Sequence, residues 1–161
     1  MAQRWDTQSE ETMRRGARML TAGASCVDVT PPLGTGMRGY FEQRTASTVH
    51  DPLHARSFVL GDDDSAIAIA ICDVIGINRE YLDQARSLIA ETTDLSPESV
   101  MIACTHTHTG PHTGDDEYTE WLWRRIADGV RIAWEARQPA EVGWASASEE
   151  RLVFNLSLIH I

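Results

Sequence analysis

The stretch His54–Val74, "HARSFVLGDDDSAIAIAICDV", reads as two strands joined by a tight polar turn. Residues 54–60 and 66–73 are rich in apolar side chains, and "GDDDS" between them carries Gly61 and three aspartates. The second run, "AIAIAIC", is apolar at nearly every place, as expected of a strand buried on both faces. The turn lacks the ligand spacing of a calcium loop, so its aspartates read as solvated.

Working outward, "AGASCVDVT" (22–30) reads as a strand that stops at Pro31-Pro32. From there to Leu53 runs a long segment rich in Gly, Pro and Thr, and loops of that length in compact domains are usually functional or disordered. Downstream, Asn78 can cap a helix over 79–92 with Tyr81, Leu82, Ala85, Leu88 and Ile89 on one face. Ser96-Pro97 marks a short turn, and "SVMIACTHT" (99–107) is the next strand. Residues 117–136 form a second helix with Tyr118, Leu122, Ile126, Val130 and Ala133 inward, ending before Pro139. "AEVGWASA" (140–147) and "RLVFNLSL" (151–158) read as two final strands. The order predicts an α/β fold, with α+β as the alternative: a mixed β-sheet with helices packed on it. Residues 1–20 read as a polar lead-in, 21–155 as one incomplete domain, and 156–161 as an apolar tail expected to mark truncation of a larger catalytic domain.

Composition narrows the function classes. The chain has 161 residues, 42% of them hydrophobic and 24% charged, as in an ordinary soluble globular protein. A net charge of −10 argues against nucleic acid, whose phosphates need clustered Lys and Arg. No apolar run approaches a transmembrane length, and the start has no secretory signal, so the chain reads as soluble with its compartment unknown. Cys26, Cys72 and Cys104 lie in apolar runs without a CxxC, and read as buried reduced thiols.

The chemistry concentrates in "ACTHTHTGPH" (103–112), which holds three of the six histidines. On a strand, His106 and His108 point to one side, roughly 7 Å apart along the backbone. Two imidazoles at a strand's carboxyl end can converge on a metal, or serve as one ligand and one acid/base group beside it; a plain polar rim is the other reading. Gly110 and Pro111 stand where the HxHxDH pattern of metallo-β-lactamases needs its Asp and last His, and 161 residues cannot close an amidohydrolase barrel.

Four pieces in order, "AGASCVDVTPPLGTGMRGY", "VHDPLHARSFVL", "CDVIGI" and "SPESVMIACTHTHTGP", resemble the N-terminal part of the neutral/alkaline (non-lysosomal) ceramidase family. The likeness covers about residues 21–111, and "RLVFN" near the end is similar too; Thr109 stands where Ser is common in the family. The resemblance implies a zinc amidase that cleaves the N-acyl bond of ceramide, or of a related lipid amide, with a zinc-activated water. It implies that His106 is a zinc ligand and His108 its catalytic neighbour. The family's remaining ligands, a His, a Glu and a Tyr, lie far downstream and have no counterpart in 113–161, so the missing C-terminal part of the same domain is an expected partner. Relatives are often exported. The rival expectations are a zinc hydrolase of another small N-acyl substrate on the same scaffold, and a catalytically incomplete fragment or binding module.

Other residues take smaller parts. Asp73 ends the strand expected beside that of His106 and could orient a ligand imidazole, or simply mark the strand exit. His50 and Asp51 line the cleft or form a turn before Pro52. "GTGMRGY" lacks the Lys-Ser/Thr of a phosphate loop and opens no helix; it reads as a substrate-side loop with Arg38 and Tyr40 as contacts. His54 is expected on a strand's outer face, His112 in a loop, and Trp121, Trp123 and Trp134 in helix packing.

Overall fold

A computed structural model of the chain describes residues 19–114, 116–149 and 151. Its main sheet has five strands: β1 (Thr21–Asp28), β4 (His54–Gly61), β5 (Ala66–Cys72), β6 (Val100–Cys104) and β7 (Gln138–Pro139), in the order β6-β5-β4-β1-β7. The β4–β5 pair is the expected hairpin, with Gly61 opposite Ala66 and Asp62 capping the turn by accepting from the Asp64 and Ser65 N–H groups. Only β5 and β6 run parallel, joined by the crossover helix α1 (Arg79–Thr92). A second helix, α2 (Glu117–Glu135), follows the histidine segment. This is the mixed α/β sheet predicted above.

Helix positions follow from local rules. Asp116 caps α2 by accepting from the Thr119 N–H at 2.7 Å. Asn78 stands at the N-cap of α1 but makes no side-chain cap bond. Of the predicted inward stripes, Tyr81, Ala85 and Ile89 on α1 and Leu122, Ile126, Val130 and Ala133 on α2 are buried, while Leu82, Leu88 and Tyr118 are partly buried against the same core. The helices pack on each other and share one core with Val27, Ala55, Val59, Ala68, Ala70, Cys72, Val100 and Ile102 of the sheet. Ser25 Oγ donates to the Gly129 carbonyl at 2.7 Å, and the Tyr118 hydroxyl to the Val29 carbonyl at 2.7 Å, which ties α2 to β1. Among the described residues no helix is long and apolar enough to cross a membrane.

The structure corrects several expectations. Strand β5 is covered on one face only: Ile67 and Ile71 are 49% and 42% exposed, because both helices lie on the other side. Cys26 is exposed on that same open face, unlike buried Cys72 and half-buried Cys104. Residues 140–147 form no strand; the last pairing is instead two residues, Gln138 and Pro139, against Ala22 and Thr21. The long loop holds a small hairpin of its own, β2 (Gly36–Met37) with β3 (Arg44–Thr45). The lead-in 1–18, most of the strand expected over 151–158, and the tail 156–161 lie outside the described residues.

Candidate functional site

Strand β6 ends at Cys104, so His106 and His108 sit beyond it, on a turn. Strand alternation therefore does not bring them together. His106 has a left-handed backbone, φ 59°, unusual for a residue with a side chain. That turn swings the two rings into edge-to-face contact, with centroids 5.2 Å apart.

The turn is seated on the exit of β5. The Thr105 N–H donates to the Cys72 carbonyl at 3.0 Å, and the His106 N–H to the Val74 carbonyl at 3.1 Å. His106 Nδ1 lies 2.8 Å from the Ile75 carbonyl, and the Thr113 hydroxyl donates to the Gly76 carbonyl. A carbonyl only accepts, so Nδ1 of His106 carries a proton, and Nε2 is the nitrogen left to face a metal. This backbone contact does the orienting that was one of the two roles open to Asp73. The Asp73 carboxylate is instead spent on Arg56 Nη1 at 2.7 Å and the His54 N–H at 3.0 Å. Burial pushes that carboxyl up, but the bonds from Arg56 and His54 and the Arg56 charge outweigh it and hold it below the usual range.

From the other side the 36–44 segment closes on the histidines. Met37 bridges to Pro111, the Arg38 N–H donates to the Gly110 carbonyl, and the His112 N–H donates to the Gly36 carbonyl. Gly39, at φ +102°, backs directly onto His108: a Cβ there would stand 2.6 Å from the His108 Cγ. Only glycine meets both demands. Tyr40 presents its ring to His108 in a T-shaped contact, centroids 6.1 Å apart. Arg44, which no motif singled out, lies over Tyr40 and bonds the His108 carbonyl. Its partner is 64 residues away, so nothing local could have flagged it.

The remaining candidates divide. His50 is exposed and holds Asp51 through Nδ1 at 2.7 Å. Both border a groove of about 390 Å³ that runs past Met37, Val49 and Leu53 to Thr109–Pro111, next to the histidine pair. Arg38 and Tyr40 border a second hollow with His112. His54 Nδ1 lies 3.3 Å from Arg56, and His112 Nδ1 lies 3.8 Å from Asp116. Trp123 is buried and Trp134 packs on the core, while Trp121 is 43% exposed. Burial pushes the Cys72 thiol up, and the Cys104 thiol likewise, which keeps both protonated and unreactive.

A neutral ceramidase of Mycobacterium tuberculosis is 33% identical over 104 residues, 58% of this chain. The crystal structure of neutral ceramidase from Pseudomonas aeruginosa superposes with a TM-score of 0.67 over 76% of the chain, at 22% identity. The relatives are neutral ceramidases. A ceramidase complexed with C2 matches equally, with a TM-score of 0.66 at 23% identity over the same share. The resemblance read from the motifs is thus borne out, and the fold is that of part of a neutral ceramidase. The chain spans 16% of the length of the curated relative and 22% of each solved chain. No family model matches it.

Proposed function

We propose that this chain carries the first part of a zinc-dependent amide hydrolase site of neutral ceramidase type, acting on the N-acyl bond of ceramide or a related lipid amide. The observation that carries this reading is the seated histidine pair. His106 is locked by Ile75 with Nε2 free, and His108 stands beside it with ring centroids 5.2 Å away. The kinship with proteins named neutral ceramidase supplies the substrate class.

Among the described residues no group of three or more His, Cys, Asp or Glu side chains is arranged to hold a metal ion. A catalytic zinc takes about three protein ligands and keeps one position open. The residues present fit as a share of such a set: His106 offers a fixed, neutral imidazole nitrogen, the donor that zinc prefers. When bound, zinc polarises an amide carbonyl and activates water near neutral pH. His108 holds the proton that the departing amine must gain, a role imidazole suits. The groove ending at Thr109–Pro111 receives the alkyl chain, with Met37, Val49 and Leu53 against it.

Two measurements test this. Zinc retained at micromolar metal by the chimera described next should fall at least about tenfold in His106→Asn; Asn is chosen because it tolerates the left-handed backbone at 106. Residues 21–111, grafted in place of the matching segment of the Mycobacterium tuberculosis relative, should retain ceramide hydrolysis. In that chimera His108→Asn should lower the rate on the order of 10²–10⁴-fold. Equal zinc in wild type and variant, with a folded but inactive chimera, would end the proposal.

A further inference from the structure

We propose that Arg44 is a positioning residue: through Tyr40 and the His108 carbonyl it holds the His108 imidazole in its place against His106. Three contacts carry the inference. The Arg44 guanidinium carbon lies 3.6 Å from the Tyr40 ring centroid, close enough to stack flat on its face. The same group donates from Nη2 to the His108 carbonyl at 3.0 Å. The Tyr40 ring it supports meets the His108 ring at 76°, edge against face.

His108 has few other restraints. Its ring is bounded by the Gly39 backbone, the Tyr40 edge and the His106 edge. Gly39 lets the His108 side chain lie close against the backbone but makes no bond to it. Tyr40 follows Gly39, which lacks a Cβ and so restrains the chain before Tyr40 less than any other residue would. Arg44 removes that freedom, because it stacks on the ring and is anchored on β3, paired with β2 at Met37. The β2 strand is in turn bridged to Pro111, three residues past His108. The result is a closed circuit from 37 through 44 and 40 to 108 and 111. A planar guanidinium can stack and donate at once, whereas an ammonium is a compact point donor on a flexible stem.

The spectroscopic arm of the test requires neither zinc nor turnover; the kinetic arm rests on the function proposed above. The full 161-residue chain, labelled at histidine with ¹³C and ¹⁵N, gives ring cross-peaks assigned by His→Asn variants. In Arg44→Ala the His108 cross-peaks should move and sharpen as the ring gains mobility, while those of His50 and His54 stay. Arg44→Lys should be intermediate, because it restores a donor but not the stack. Tyr40→Leu keeps the bond to the carbonyl and removes the ring, and should reproduce the His108 change; it carries the test should Arg44→Ala fail to fold. His108 cross-peaks at wild-type positions in a folded Arg44→Ala or Tyr40→Leu chain overturn the proposal. In the chimera, Arg44→Ala should lower kcat on the order of tenfold to a hundredfold with zinc content and KM unchanged. A chimera that never turns over, alongside moved His108 peaks, would sink the hydrolase reading and leave the positioning role standing.

Discussion

The two faces of the sheet are built from the same strands and treat their side chains in opposite ways. Under the helices β5 places Ala68, Ala70 and Cys72, all buried. On the open face the same strand places Ile67, Ile69 and Ile71, and its neighbours add Phe58 and Met101, 39% and 52% exposed. On β5 the small residues are inside and the large ones outside. Small side chains let the helices approach closely; the bulk of the core then comes from the helices, through Ile89, Leu122 and Ile126. The comparison teaches that apolar composition marks a strand as fit for burial, but not which face is buried or how deeply.

Three substitutions probe that contrast, in descending order of effect. Ile126→Ala empties a fully buried site between helix and sheet, and should cost about 2–5 kcal/mol in urea denaturation. A smaller loss would mean that the covered face relaxes into the gap. The Asp73–Arg56 pair, at the margin of the open face, should contribute less than about 1 kcal/mol, because Arg56 is half exposed. Its sign with pH is set by the direction of the Asp73 shift. The folded carboxyl titrates below its unfolded value near 4, so the contribution is complete above that value and is lost as pH falls through the lower, folded one. Asp73→Asn should therefore be less stable than wild type at pH 7, with the gap closing toward pH 2; a gap that widens in acid would refute the assignment. Smallest of all, Ile71→Thr on the open face keeps a β-branched side chain and should move stability by no more than about 0.5 kcal/mol. A loss as large as that of Ile126→Ala would show that the open face is covered in solution.

What could be read before the fold was known follows from the range of the interactions. Helix α1 was legible at its stated ends, because period, cap position and the turn at Ser96-Pro97 are local signals. The β4–β5 hairpin was legible for the same reason. The strand expected over 140–147 was not formed, and β7 was missed, because a two-residue pairing with Thr21 and Ala22 is decided by contacts more than a hundred residues apart. At the site, His106 and His108 were legible as a motif, but the means of joining them was not. A left-handed histidine leaves no trace in a pattern of alternation, and neither does a carbonyl such as Ile75. Arg44 was invisible because its meaning lies wholly in what it touches.

The direction of those bonds along the chain has one more consequence. The backbone of 105–112 draws its long-range partners from Gly36, Met37, Arg38, Arg44, Cys72 and Val74, and the His106 ring from Ile75; all precede it in sequence. On a ribosome, which extends the chain from the N-terminus, the residues of both walls of the seat are already synthesised when the two histidines emerge. The histidine segment thus meets partners that are already in the chain, and does not wait as a loose pair for them to be synthesised.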